Sequence, residues 1–131
     1  MNNKAFTLAE MLAVIIILSV IALVIIPTVS TTLKNSKEQT CLIQYENILS
    51  AAKVWGSENI LQLPAEGESI EITLEYLQEL GYIDDNIENP VTKQIIGLNT
   101  TIKISKEIGS KKYNYEFIGV DDYKTLCKSN N

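Results

Sequence analysis

Histidine and arginine are both absent from this sequence, and lysine supplies all 11 of its basic residues. Without histidine, the chain lacks the commonest general base and the commonest metal ligand. The lysines are outnumbered by 16 acidic residues, which gives a formal net charge of −5. Phosphate contacts require clustered lysine or arginine, and the chain has no basic run, so we expect no direct binding of nucleic acid.

Cysteine is also scarce, and the two that are present, Cys41 and Cys127, lie far apart in the chain. They are too few and too distant for a zinc site. No nucleophile stands beside a base, and no glycine-rich phosphate loop occurs. We therefore predict that the chain is not an enzyme and carries no cofactor.

What the sequence does contain is one long apolar run near its N-terminus. Between Phe6 and Ile26, 21 residues include a single charge, Glu10, and two hydroxyls, Thr7 and Ser19. As a helix at about 1.5 Å per residue, this run spans roughly 31 Å, the thickness of the hydrocarbon core of a bilayer. Backbone groups in lipid must be bonded within their own segment, so the run predicts a transmembrane helix.

Two ordinary interpretations of this run leave Glu10 without a role. In the first, residues 1–4 begin a secretory signal peptide that is cut near Ser30. In the second, the run is an uncleaved anchor, and lysines on both sides leave its orientation open. Both interpretations place a carboxylate in lipid, which costs roughly 2.5–3.5 kcal/mol at the bilayer centre and less near the interface.

A third interpretation starts from the residues Lys4-Ala5-Phe6-Thr7-Leu8-Ala9-Glu10. They resemble the prepilin leader of type IV pilins and of the pseudopilins of type II secretion and competence systems. The resemblance implies that a prepilin peptidase cuts between Ala5 and Phe6, removes residues 1–5 and methylates the new amine of Phe6. Glu10 and Pro27 then fall where the family carries a glutamate and, in many members, a helix-weakening proline. Ala5 stands where the family usually has glycine.

The chemistry of Glu10 agrees with this resemblance. The new amine of Phe6 is positively charged and lies four residues before Glu10 on a helix, and the same amine on an adjacent subunit is another possible partner. An unpaired carboxylate is costly at low dielectric, so the pair favours one stagger between neighbouring helices. We therefore predict that Glu10 sets the register of assembly. The alternative is a glutamate that reaches back to the interface.

Beyond the apolar run, the sequence predicts an α+β, pilin-like fold with a long N-terminal helix packed against a small antiparallel sheet. We expect a transmembrane and filament-core helix in residues 6–27, an amphipathic continuation in 28–56 and a globular head in 57–131. Pro27 predicts a kink or a frayed turn in this helix, and Gly56-Ser57 its end. The continuation carries an apolar stripe at steps of four and three: Cys41, Tyr45, Ile48, Ala52 and Trp55.

Within the head, residues 73–83 predict a short helix that stops at Gly81. Alternating apolar residues in 100–105 and 113–117, on either side of a turn at 107–111, predict a β-hairpin. A hairpin is marginal alone, so we expect it to lie on the long helix with a third strand near residues 94–98.

Two further features of the head are weighed as possible sites. If the head is exported, Cys41 and Cys127 meet an oxidising space, and we favour a disulfide over two free thiols. The acidic turn around Asp84, Asp85 and Glu88 offers oxygens that calcium prefers, and some pseudopilins of the resembling family bind calcium in a head loop. Because no ordered loop pattern accompanies these carboxylates, we favour a solvated turn without metal.

We therefore predict a structural subunit of a type IV pilus-like filament. The resemblance implies three kinds of partner: the prepilin peptidase, other pilin subunits, and membrane lipid before assembly. The head is expected outside the membrane, and the assembled filament outside the cell. The same leader serves pili, secretion pseudopili and competence pili, so the sequence leaves the system open. The alternative is a monomeric anchored or secreted binding protein whose leader resembles a prepilin by chance.

Overall fold

The structure is a computed structural model that describes residues 5–119 and 123–129. Within these residues, three helices and three strands follow in chain order: α1 (Leu8–Glu58), β1 (Ser69–Thr73), α2 (Leu74–Glu79), β2 (Thr101–Ser105), β3 (Asn114–Phe117) and α3 (Tyr123–Leu126). A 3₁₀ turn, Ile60–Gln62, follows α1. The chain divides into two compact units at Ser36, within α1. The predicted α+β architecture of a long apolar helix and a small antiparallel sheet is confirmed.

The first unit contains the apolar part of α1. None of its described side chains is buried, and large apolar residues such as Leu23 (76% exposed) and Val24 (66% exposed) lie open. Among the described residues, α1 is the one helix that is long and apolar enough to cross a membrane, judged by length and composition. A helix that is apolar on every face has no stable place in water, so this segment requires lipid or neighbouring helices.

Pro27 lies inside α1, and the helix continues through it. The frayed turn, one of the two alternatives predicted for this position, is therefore absent. Proline lacks the N–H that would bond the carbonyl four residues earlier. In the turns that follow, hydroxyls donate to carbonyls four residues back, beginning with Thr28 Oγ1 to the Val24 oxygen at 3.1 Å. These hydroxyls bond the carbonyls of residues 24, 26, 27 and 28, so they do not replace the bond that an N–H at position 27 would make to Leu23.

The sheet in the second unit has the strand order β1-β2-β3, and both pairs are antiparallel. Ile104 faces Ile70 on one side and Tyr115 on the other, while Ile102 faces Ile72 and Phe117. The hairpin of β2 and β3 confirms the prediction from alternating residues. Ile102 and Ile104 are fully buried, so the apolar face of the sheet is the face that meets the core.

The second part of α1 forms the other wall of this core. All five residues of the predicted stripe are buried: Cys41, Tyr45, Ile48, Ala52 and Trp55. The predicted stop at Gly56 is wrong, because α1 continues to Glu58 and Gly56 is buried within it. A Cβ at Gly56 would collide with the Tyr115 hydroxyl and lie 3.3 Å from Leu63 Cδ2. Gly56 is therefore needed for close packing and not for ending the helix.

The short helix α2 is capped at both ends. Thr73 precedes it, and the Thr73 hydroxyl accepts a hydrogen bond from the Tyr76 amide at 3.2 Å. At the other end, Tyr82 N–H donates to the Leu77 carbonyl and Gly81 N–H to that of Gln78, each at 3.0 Å. Gly81 has a φ of 81°. This pair of bonds is a Schellman motif, so Gly81 stops the helix as predicted, although α2 is shorter than residues 73–83.

The third strand is not where the sequence predicts it. It is β1, Ser69–Thr73, which pairs with the β2 edge of the hairpin. Residues 94–98 instead form a loop with one isolated bridge between Glu88 and Ile95. Within this loop, the side chain of Ile96 is buried and that of Ile95 is 60% exposed. Ile96 therefore packs into the core from a loop, and the described residues form no ladder in this segment.

Three aromatic rings attach the C-terminal segment to the rest of the second unit. Tyr45 of α1 lies edge-on to Phe117 of β3, with ring centroids 5.6 Å apart, and stacks on Tyr123 of α3 at 5.7 Å. Phe117 and Tyr123 are also 5.7 Å apart. Each ring thus contacts the other two, and such pairs are worth about 0.5–1.5 kcal/mol beyond area burial.

Candidate functional site

The bond between Ala5 and Phe6 lies in an open part of the chain. Both residues are exposed, and α1 begins only at Leu8. The backbone at this bond is not held in a helix or strand, so a peptidase would not have to unfold regular structure to reach it.

Thr7 and Glu10 form a reciprocal pair at the start of α1. The Thr7 N–H donates to Glu10 Oε2 at 3.1 Å, and the Glu10 N–H donates to Thr7 Oγ1 at 3.2 Å. This is a capping box, in which each side chain bonds a backbone N–H that has no partner in the helix. The negative charge of Glu10 also lies at the positive end of the helix dipole. Glu10 is thereby aimed back toward the N-terminus.

The prediction for Glu10 paired it with the Phe6 amine, which exists only after cleavage. In the full chain the residue that Glu10 contacts is Thr7, which the sequence analysis did not single out. A signal for it was present, because a threonine followed three residues later by a glutamate, just before an apolar run, is typical of a capping box. The cap brings the carboxylate to the residue that follows Phe6.

Pro27 lies far along the same apolar helix from Glu10. Two serines and three threonines along α1 donate to the carbonyl four residues earlier: Ser19, Thr28, Ser30, Thr31 and Thr32. Four of these lie within the five residues after Pro27. Bonds of this type are associated with bent helices, and here they cluster in the turns that follow Pro27.

The structure joins Cys41 to Cys127 in a disulfide with a Cα–Cα distance of 5.5 Å. Both cysteines are buried, at 0% and 1% exposure. The Ser129 amide also donates to Glu38 Oε1 at 3.0 Å. The C-terminal segment is therefore bound to α1 by a covalent bond and a hydrogen bond close to it.

The carboxylates of the acidic turn are not brought together. Asp84, Asp85 and Glu88 are all exposed, and among residues 5–119 and 123–129 no group of three acidic or cysteine side chains is placed to hold a metal ion. The one buried polar residue there is Asn89, whose Oδ1 accepts hydrogen bonds from the amides of Val91 and Thr92 at 2.9 and 3.3 Å. Asn89 thus organises the turn around Pro90 from within.

Comparison with known proteins extends these observations beyond the leader. A family model described as the prokaryotic N-terminal methylation motif matches residues 1–26. Over 104 residues the chain is 31% identical to the competence protein ComGC of Bacillus subtilis strain 168, an alignment that covers 79% of this chain and 98% of ComGC. No solved structure matches the chain. The alignment with ComGC is four times as long as the leader match, so the similarity extends into the head.

Proposed function

Because this chain belongs to the family of type IV pilin-like filament subunits that includes ComGC, we propose that it is a subunit of a competence filament. The observation that supports the competence system is the length of the alignment, because 104 aligned residues cannot lie within the first unit alone. The leader alone is common to pili, secretion pseudopili and competence pili.

Processing is the first step of the proposal. A prepilin peptidase cuts between Ala5 and Phe6, and the amine of Phe6 is methylated. The exposure of both residues and their position before α1 support access to this bond. Cleavage replaces an amide by a positive charge next to Thr7, whose N–H already holds one oxygen of Glu10.

This placement gives Glu10 its role in assembly. Oε2 accepts the Thr7 N–H, which leaves Oε1 to accept from the Phe6 amine of its own chain or of a neighbour. If a neighbouring helix is shifted along its axis so that its amine and carboxylate do not face those of the first helix, a charge is left unpaired at low dielectric, which is costly. Glu10 therefore selects one stagger, and Thr7 orients it.

The apolar surface of α1 passes from lipid into a bundle of equivalent helices during assembly. Both surroundings are apolar, so the hydrophobic effect contributes little, and association depends on side-chain packing and on the polar pair. We propose that the head lies on the outer side of the membrane, and the Cys41–Cys127 disulfide supports this side because disulfides persist in oxidising compartments.

Members of this family are structural and not enzymatic. We therefore infer that the chain works through its contacts with other subunits, and that its partners are the prepilin peptidase and other pilin-like chains. No catalytic step is assigned to it.

The test combines an intact mass with one substitution. Protein from the native membrane should have lost residues 1–5 and gained one methyl group. Glu10→Ala should remain in the membrane while sheared filaments and transformation by added DNA are both lost. Ser19→Ala, which removes a hydroxyl from the middle of the apolar run, is the matched control and should assemble normally. An uncut chain, a cut near Ser30, or normal filaments with Glu10→Ala would each refute the proposed mechanism.

A further inference from the structure

The two ends of the sheet differ in charge and shape. At one end, β1 continues into α2, and the Glu75 amide donates to the Leu98 carbonyl at 3.2 Å. At the other end, the Gly67 amide donates to the Lys106 carbonyl at 2.7 Å, which places the β2–β3 turn there. Each strand of the β1–β2 pair has five residues, so the ends are separated by about 14 Å. One molecule therefore cannot bring these two ends into contact.

The α2 end holds a concavity of about 640 Å³, which we name the acidic groove. Its lining includes three exposed carboxylates and two exposed apolar side chains: Glu75, Glu79, Asp85, Ile95 and Leu98. Ile95 is 60% and Leu98 50% exposed. No ion pair within the described residues neutralises these carboxylates. The loop that borders the groove carries one lysine, Lys93, against five acidic residues in 75–88.

The opposite end carries the basic turn, residues 106–112. It contains Lys106, Lys111 and Lys112 with one acidic residue, Glu107, and its apolar residue Ile108 is 84% exposed. Lys106 Nζ lies 5.3 Å above the ring of Tyr113, while the side-chain amines of Lys111 and Lys112 form no ion pair within the described residues.

Two other acidic residues, Glu66 and Glu68, belong to the loop that leads into β1. Lys111 and Lys112 lead into β3, on the far side of β2. Two strand spacings, about 10 Å, therefore separate the two lysines from that loop. The positive charge of the basic turn is strongest on its β3 side.

We propose that the basic turn of one subunit docks into the acidic groove of the next copy of this chain. Lys111 and Lys112 meet Glu75, Glu79 and Asp85, and Ile108 covers Ile95 and Leu98. The two surfaces lie at opposite ends of one sheet, so the contact is heterologous and leaves a free surface at each end of every pair. A heterologous contact forms a ring if the rotation between copies closes and an open polymer if it does not, and a filament requires the open form. The inference rests on the filament function, to which it adds the contact between heads.

Charge reversal and restoration test this contact in the full chain. Lys111→Glu with Lys112→Glu should lower the yield of sheared filaments by at least about tenfold, as should Glu75→Lys with Glu79→Lys, because like charges then face each other. The four changes combined restore opposite charges and should recover most of the yield. Lys53→Glu with Lys128→Glu alters the charge by the same amount at exposed sites elsewhere and should assemble normally.

A cross-link gives a readout that does not depend on stability. In filaments of the combined Ile108→Cys and Leu98→Cys chain, a short bismaleimide should produce a ladder of multimers, and either single variant should not. Unchanged filament yield for both reversed pairs, no recovery in the combination, or cross-links only to a different polypeptide would overturn the docking. In each of these results the wild-type filaments still form, so the filament function stands. Absence of wild-type filaments would overturn that function instead.

Discussion

At the scale of single residues, Gly56 sets how closely α1 approaches β3. A Cβ at this position would collide with the hydroxyl of Tyr115, whereas Leu63 Cδ2 is 3.3 Å away and flexible. Alanine stabilises a helix by about 1 kcal/mol relative to glycine, but an extra methyl group in a tightly packed core destabilises the fold by about 1–3 kcal/mol. We expect Gly56→Ala to lower the free energy of unfolding by about 1 kcal/mol, measured by urea unfolding in detergent with Trp55 fluorescence as the probe.

The second substitution in this test removes the clash. Tyr115→Phe deletes the hydroxyl, so Gly56→Ala in a Tyr115→Phe background should be neutral or stabilising. If Gly56→Ala costs the same in both backgrounds, the approach of Tyr115 is not the reason for the glycine.

Tyr82 couples the stability of the head to alkaline pH. Its hydroxyl donates a hydrogen bond to the carboxylate of Glu58, and this bond raises the pKa of Tyr82 above its usual value of 10.0, with a smaller contribution from burial. Burial likewise raises the pKa of Tyr115. Because the pKa of Tyr82 is raised in the folded state, this hydroxyl contributes its full stabilisation to the fold below pH 10.0. The contribution is lost as the pH rises through the pKa of Tyr82 in the folded protein.

We therefore expect the unfolding free energy of the wild type to fall as the pH rises above 10.0. Near pH 8, Tyr82→Phe should have a lower unfolding free energy than the wild type, since it lacks the hydrogen bond. As the pH becomes alkaline, its unfolding free energy should fall less than that of the wild type. Urea midpoints at three pH values measure this, and parallel losses in the two proteins would show that Tyr82 is not responsible.

At the scale of elements, the patterns that extend over many residues predicted the structure correctly, and the short ones did not. The stripe from Cys41 to Trp55 repeats over four turns, and all its members are buried. The hairpin has matching alternation on both sides of its turn. Strand β1 offers only Ile70 and Ile72 in alternation, too little to separate a strand from a loop, and its pairing with β2 comes from a distant part of the chain.

The misplaced third strand has a related cause. Residues 94–98 include three large apolar side chains, but one points into the core and two are exposed. A sequence pattern does not distinguish an apolar loop that fills a core from a short strand, because both leave some apolar residues exposed. Thr7 is a different case, because a capping box is a local pattern that the pairing of Glu10 with an amine does not require.

The C-terminal segment depends on the disulfide at the element scale. Cys41 and Cys127 are separated by 86 residues, and closing a loop of this size stabilises by about 4 kcal/mol in the chain-entropy model. Cys41→Ser with Cys127→Ser should lower the unfolding free energy by about that amount and free Tyr123 from Tyr45 and Phe117. Adding a reductant to the wild type should reproduce the loss. A double variant as stable as the oxidised wild type would contradict this account.

At the scale of the whole molecule, the two units have opposite requirements. Every buried residue among those described lies in the second unit, between Cys41 and Cys127. In the first unit, none of residues 5–36 has a buried side chain, so they add nothing to the core and present their apolar surface to their surroundings. The core that stabilises the fold thus lies in the second unit, while the first unit is left to contact lipid or neighbouring helices.

This division predicts the behaviour of a chain that begins at Thr31. Because the core is complete without the span, the shortened chain should be monomeric in water, with the disulfide formed and an unfolding free energy within about 0.5 kcal/mol of the full chain in detergent. Coproduced with the full chain, it should stay out of the filaments, since it lacks Glu10 and the apolar helix.

Sedimentation, Trp55 fluorescence and analysis of sheared filaments measure the three outcomes. An unfolded fragment would show that the span supports the head, and a fragment found within filaments would show that head contacts suffice for assembly.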